Sequence, residues 1–387
     1  MGCKVWFVGG VCLALLATDL PAVGQGFVVN HRHVVLFERI PPVYLEAARD
    51  LGLLFSDRSV GANTDEALDC LTAARWPDTV ASCRRDYYDE WNWKTYTEAD
   101  WLAGQVPERI LFEPDPVLYD RSNWTFEYRA GSWEDLTCDF VQSLVPAYVD
   151  SKDVLSYQFS YLNVMEGDDI ADPATGFFAD RPEACDIGDI EALMAQHPDK
   201  TFVFWTTSLA RSIGTSVSTA FNEQMRAYCL ANDRILFDFA AIESHRPDGT
   251  ACYDNRDGVP YVAMNGASEN HPDDGFDYPA ICQDYTTEVD GGHLGSVSAG
   301  RIRIAKGLWV LMARIAGWDP FSGDLDDDGD VDETDFAWFA GCLGGPGNAD
   351  APPACEPADF VRCDMDEDED VDAADVALFQ RAFSGSH

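Results

Sequence analysis

Two stretches near the carboxyl terminus repeat one pattern of carboxylates forty residues apart, and this repeat constrains the chain more than any other feature. Asp324, Asp326, Asp328, Gly329, Asp330, Val331, Asp332 and Asp335 fall at positions 1, 3, 5, 6, 7, 8, 9 and 12 of a twelve-residue cation loop. Asp364, Asp366, Asp368, Asp370, Val371, Asp372 and Asp375 return in the same register, with Glu369 in place of the turn glycine. A hard cation such as Ca2+ takes six to eight oxygens. A loop of alternating carboxylates turns one toward the ion at every second residue, bends sharply at position 6 and closes the shell at position 12. The expected cofactor is therefore Ca2+, held more weakly by the second loop, where a side chain strains the bend. Each loop runs into a short amphipathic segment, Phe336 to Cys342 and Val376 to Phe383, whose aromatics can pack together. A random acidic tract would be a solvated tail. A register that occurs twice, each time followed by a helix-like segment, argues instead for a small all-α calcium-loop module over residues 323–387.

From Gly323 to His387 there are 19 acidic residues against Arg362 and Arg381, so this segment holds −17 of the formal −42 of the 387-residue chain. Phosphate backbones and anionic lipid repel such a polyanion, which excludes nucleic acid as a partner. With 46% apolar and 12% aromatic residues, the chain still has ample material for a core. Lys4, the apolar run Val5 to Thr18 and the small residues Ala22-Val23-Gly24 read as a signal peptide over residues 1–24, cleaved near Gln25. That run is shorter than a membrane span requires. The expectation is a secreted or cell-surface protein with no membrane contact after cleavage. Export permits disulfides, and ten of the twelve cysteines follow the cleavage point, none spaced C-x-x-C. The missing spacing argues against zinc knuckles and thioredoxin-type redox chemistry. Cys342 and Cys355 bracket a Gly/Pro-rich connector and are expected to pair, with Cys363 either free or bonded to the large domain.

Residues 25–318 alternate short apolar runs with helical spacings. Leu51 to Phe55, Val154 to Phe159, Thr201 to Trp205 and Ile235 to Phe239 have the pattern of strands covered on both faces. Asp65 to Ala74, Asp189 to Gln196, Thr219 to Ala231 and Ser298 to Ile315 read as helices. The alternation predicts an α/β fold, a doubly wound (flavodoxin-like) parallel sheet with helices on both faces and a ligand site at the carboxyl ends of its strands. Between the first two strands lies a Trp-rich stretch, about residues 60–150, too long for a simple crossover. Trp91, Trp93, Trp101, Trp124 and Trp133 are expected to form the core of an inserted subdomain there, with a sugar-stacking platform as the alternative.

Elimination among the seven histidines singles out one candidate general base. His31 and His33 lie just past the cleavage point, His387 is the last residue, and His197 points to the wrong sheet edge. His245 and His271 sit in irregular segments, which leaves His293 in Asp290-Gly291-Gly292-His293-Leu294. A carboxylate three residues upstream can reach back to an imidazole on a turn and fix the tautomer that accepts a proton. The matching hydroxyl should lie at the end of the first strand, where Ser56-Asp57-Arg58-Ser59-Val60-Gly61 offers Ser59, with Ser56 as the alternative. Gly61 permits close backbone approach and leaves N–H groups free for an oxyanion.

Ser59 near the end of strand one, Asn163 in Phe159-Ser160-Tyr161-Leu162-Asn163 and the terminal Asp290-x-x-His293 follow one another as in the SGNH/GDSL hydrolases, which the large domain resembles. The resemblance implies Ser59 as nucleophile, His293 as base oriented by Asp290, and an oxyanion hole made by the Ser59 N–H, a glycine and Asn163. Gly61 and Gly131 are the candidate glycines. Ser56-Asp57-Arg58-Ser59 stands where the family has Gly-Asp-Ser, and Asn163 lacks the family's following aspartate. The acidic pair, with Asp rather than Glu at position 12 and a Cys342…Cys355 segment between the repeats, resembles the dockerin type I module. Together these imply a secreted serine esterase acting on an extracellular ester such as an acylated carbohydrate or polysaccharide, with a cohesin-like protein as docking partner and no metal in catalysis. The competing expectations are a non-catalytic SGNH-like binding protein and a cell-surface structural component docked through the calcium module.

Overall fold

Leu53–Asp57 buries all five of its residues, as a strand covered on both faces must. It sits inside a six-stranded, wholly parallel sheet, described here from a computed structural model. The structure describes residues 26–72, 87–89, 94–96, 99–100, 103–105, 115–182, 185–255, 260–262, 268–286, 291–294 and 299–385. The strands are β1 (Val28–Val29), β2 (Leu53–Asp57), β3 (Trp124–Tyr128), β4 (Val154–Tyr157), β5 (Thr201–Trp205) and β6 (Ile235–Phe237). Their order across the sheet is β1-β6-β5-β4-β2-β3.

Alternation along each strand divides the core in two. Leu53, Phe55, Val154, Val203, Trp205 and Phe237 face one layer, built on α1 (Pro42–Asp50), α2 (Ser59–Thr72) and the long helix Ala299–Ile315. Leu54, Leu155, Phe202, Phe204 and Leu236 face the other, covered by Trp133–Asp139 and its continuation, Ile187–Gln196 and Ser216–Ala231. Period-two strands with helices on both sides give the parallel α/β architecture that the alternating sequence predicts.

One element corrects the sequence reading. The Trp-rich stretch is not only an insertion, because Trp124–Tyr128 pairs in parallel with β2 over its whole length, Leu53 opposite Trp124 and Asp57 opposite Tyr128. Trp124 is buried against Trp309, ring centroids 4.7 Å apart, and Trp133 packs into the opposite layer. Trp91, Trp93 and Trp101 lie outside the described residues. No helix among the described residues is long and apolar enough to cross a membrane. Disulfides join Cys138 to Cys185, Cys252 to Cys282 and Cys342 to Cys355, the last as expected, while Cys363 is a buried free thiol.

The acidic carboxyl-terminal segment folds as the helices Glu333–Cys342, Pro357–Cys363 and Ala373–Ala382 around Leu325, Val331, Phe339, Phe360, Val371 and Phe379. It packs against the 3-10 helix His33–Arg39, which follows β1, and Val361 belongs to the apolar layer of the large domain. His31 and His33, set aside in sequence as close to the cleavage point, are thus part of the fold. His33 is buried, and the ring of His31 stacks on that of His245 at 4.2 Å.

Candidate functional site

Strand β2 ends at Asp57, one residue turns the chain, and α2 begins at Ser59. The half-buried Ser59 therefore heads a helix at a strand's carboxyl end, where the first backbone N–H groups have no partner within the helix. Gly61 lies in the same turn and packs on the strand end, where an added Cβ would meet the Cβ of Asp57 at 2.9 Å. Asp57 is fully buried, and neither carboxylate oxygen has a well-formed hydrogen bond. Burial pushes its carboxyl up to about 7, against the pull of the nearby N–H groups of Arg58 and Gly61. Ser56, the alternative nucleophile, is buried within the strand at 4% exposure.

Asn163 comes from the next strand over. After β4, Ser160 caps a single 3-10 turn, Tyr161–Asn163, and its own N–H donates to Asn163 Oδ1 at 3.2 Å. That bond fixes the amide, so Nδ2 is the free donor, and one of its hydrogens goes to the Gly131 carbonyl at 3.0 Å. Gly131 follows β3. The loops after β3, β2 and β4, three neighbours in the sheet, therefore supply Gly131, Ser59 and Asn163.

His293 is held by its backbone. The buried Arg211, on the segment after β5, donates from its backbone N–H (2.7 Å) and Nε (3.1 Å) to the Gly291 carbonyl and from Nη1 to the His293 carbonyl. The Leu294 N–H donates to Asn63 Oδ1 at 3.0 Å, one turn along α2 from Ser59. Tyr161 packs edge-on against the imidazole, centroids 6.3 Å apart, and approaches Gly292 so closely that a Cβ there would sit 2.1 Å from a ring carbon. Only glycine allows that contact. Glu243, fully buried beneath, accepts from the Leu209 N–H at 2.7 Å; burial holds its carboxyl well above the usual range, with Asp57 adding to the effect and Arg211 opposing it.

The fold thus brings Ser59, Asn163 and His293 to one edge of the sheet. Asp290 lies outside the described residues. Among the described residues, no hydrogen bond joins the Ser59 hydroxyl to the His293 ring. Sequence reasoning missed Asn63, Tyr161 and Arg211. Of these, Arg211 left one usable signal, a lone cation in the small-residue run Ser208-Leu209-Ala210-Arg211-Ser212 just past a strand.

The acidic loops form a second candidate site, in duplicate. Asp335 and Asp375, both fully buried, use Oδ1 to accept from the N–H groups of Leu325 and Met365 (2.6 Å each) and Oδ2 to accept from those of Asp332 and Asp372 (2.8 Å each). Asp324 accepts from Asp328 and Gly329, and Asp364 accepts from Asp368 and Glu369. The bend residue is left-handed in both, φ +97° at Gly329 and +81° at Glu369, so the second loop carries the strain that the substitution predicts. Four triads have carboxylate oxygens all within 4.8 Å of one another: Asp324, Asp326 and Asp335; Asp330, Asp332 and Asp335; Asp364, Asp366 and Asp375; Asp370, Asp372 and Asp375. Asp370 Oδ1 is buried without a partner. Burial, then the neighbouring carboxylates Asp335 and Asp328, push Asp326 above its ordinary range, and burial, then Asp375 and Asp368, push Asp366 up likewise. Oxygen-only, crowded and mutually repelling, this donor set suits a hard metal ion.

No family model, curated protein or solved structure matches the chain.

Proposed function

We propose that the protein is a secreted serine esterase of the SGNH type, acting on an extracellular ester such as an acylated carbohydrate and carrying a dockerin-like calcium module at its carboxyl end. The Asn63–Leu294 hydrogen bond carries this reading, because it ties the His293 turn to the helix that starts at Ser59. Strand order supports it as well. The run β3-β2-β4-β5-β6 is the order of flavodoxin-like sheets, which bind ligands beyond the strand ends where the order reverses, here between β2 and β4.

In this reaction His293 takes the proton of the Ser59 hydroxyl as Oγ attacks the ester carbonyl. The Ser59 N–H and the second Nδ2 hydrogen of Asn163 receive the developing oxyanion, with Gly61 or Gly131 as the glycine donor. The imidazolium passes its proton to the leaving alcohol. The same ring then deprotonates the water that releases the acid and restores Ser59, with Asp290 orienting the ring. In the carboxyl-terminal module, Asp324, Asp326, Asp328, Asp330, Asp332 and Asp335 would hold one Ca2+, and Asp364, Asp366, Asp368, Asp370, Asp372 and Asp375 a second. Bound Ca2+ supplies charge compensation for the loops and takes no part in acyl transfer. The exposed Phe336, Trp338, Leu343 and Phe383 are apolar surface that a cohesin-like protein partner would cover.

A fluorophosphonate probe tests the chemistry, since only an activated serine reacts. The expected result is labelling at Ser59, lost in Ser59→Ala and in His293→Ala. An unlabelled folded protein, or labelling that survives Ser59→Ala but not Ser56→Ala, overturns the assignment. A second reading, a non-catalytic SGNH-like binding protein, is favoured by the missing bond between Ser59 and His293, although such bonds commonly tighten only with substrate.

A further inference from the structure

The two acidic loops hold their backbones alike but draw their counter-charges from different places. In the first loop, position 4 is Asp327, and its cation is Arg362 of the same segment, Nη2 to Oδ1 at 2.9 Å. The buried Arg362 also donates to the carbonyls of Leu325 and Asp324. In the second loop the cations belong to the large domain. Arg32 Nη2 donates to Oδ2 of Asp364, the position-1 carboxylate, at 2.8 Å. At position 4, Glu367 lies 3.4 Å from His33 Nε2 and 3.9 Å from Arg314. Arg39 adds a bond to Asp359 at 3.0 Å, on the helix leading into that loop. Phe321, in the connector, lies under the Arg314 guanidinium at 5.1 Å and edge-on to His33.

We propose that the second loop is an intramolecular latch: ion loading there fastens the carboxyl-terminal segment to the large domain through Arg32, His33 and Arg314, whereas the first loop serves only to fold the segment. The proposal rests on the calcium reading above. Its physical basis is the Asp364 carboxylate, which takes the loop N–H groups of Asp368 on Oδ1 and of Glu369 on Oδ2 while the same Oδ2 also accepts from Arg32 outside the loop. An outer partner of this kind orients the ligand, so that filling the loop and seating it on Arg32 favour each other. The face carrying the second loop is then occupied by this chain's own large domain, and an external partner is left with the face that exposes Phe336, Trp338 and Phe383.

The test uses the full chain, with Ca2+ or EGTA as the probe. It reads ion stoichiometry by equilibrium dialysis and amide exchange in 33–39, the large-domain side of the contact, and in 333–342, the helix of the first loop. The expected result is two ions per chain, with exchange in 33–39 at least tenfold slower with Ca2+ than with EGTA. Arg32→Gln leaves every loop residue in place; it should keep both ions and the protection of 333–342 but lose most of the calcium-dependent protection of 33–39. Asp375→Ala, which removes the closing carboxylate of the second loop, should lose one ion and with it the calcium-dependent protection of 33–39. Two bound ions with exchange in 33–39 indifferent to Ca2+, or an Arg32→Gln profile identical to that of the parent chain, overturns the latch alone. A chain that binds no Ca2+ overturns the calcium reading and the latch together.

Discussion

The strand-end site and the acidic loops solve the problem of holding polar groups in opposite ways. At the strand ends every support is a fixed donor or acceptor of the chain itself: Arg211 on two carbonyls, Asn63 on the Leu294 N–H, Ser160 on the Asn163 amide. In the loops the carboxylates collect backbone N–H groups yet still crowd one another within 4.8 Å. The first arrangement rests on fixed partners, whereas the second crowds carboxylates whose repulsion a bound cation would relieve. On the proposed reading, preorganisation for chemistry and preorganisation for ion capture are separable within one chain.

Calcium removal is the largest lever on that contrast. With EGTA the segment 324–385 should lose its helical circular dichroism while fluorophosphonate labelling of Ser59 persists. Labelling that vanishes with the ion and returns with it would show the two sites to be one system. Next in size is Arg211→Ala, which strips two carbonyls of a buried cationic donor and leaves Glu243 without its nearby positive charge. A loss of about 3–5 kcal/mol in urea unfolding is expected, together with loss of labelling. An unchanged midpoint would mean that the His293 turn is held elsewhere.

Asp57 gives a pH test confined to the large domain. Its folded pKa of about 7 lies above the ordinary 3.8, so between those values the folded state binds the extra proton and stability falls as pH rises. Above pH 7 that cost is fully present, of order 4 kcal/mol as an upper figure. Asp57→Asn should flatten the decline and raise the melting temperature at pH 8; a lower melting temperature there would show that the ionised form is stabilised. The smallest effect is in the second loop, where Glu369→Gly should relieve about 1 kcal/mol of left-handed strain and tighten Ca2+ there by several-fold. Calorimetry showing no change would place the difference between the loops in their anchors rather than their bends.

Elements with strong local patterning were legible in the sequence. Thr201–Trp205 appears with the boundaries its apolar run predicts, and both acidic loops take their register from spacing alone. Elements defined by tertiary partners were not. β1 is two residues long, and β3 alternates aromatic with polar residues inside a stretch whose tryptophans suggested a separate core. Helix α2 begins at Ser59 rather than Asp65, because packing of Val60, Gly61 and Thr64 against the strand end outweighs their weak helical preference. For the candidate site, Ser59, Asn163 and His293 could be placed by order along the chain. Asn63 and Arg211 act on backbone atoms far away in sequence, and no spacing rule reports such a contact.

The loops' position-8 residues close on each other's halves. Val331 O accepts from the N–H groups of Ser384 and Gly385, which follow the last helix, while Val371 O accepts from Gly344 and Gly345, which follow the helix of the first loop. Shifted by forty residues, the two sets coincide. Neither repeat can therefore fold as a free-standing unit: each finishes its loop with the tail of the other, like two hooks. A fault in one half, such as the left-handed Glu369 at its bend, therefore falls on both.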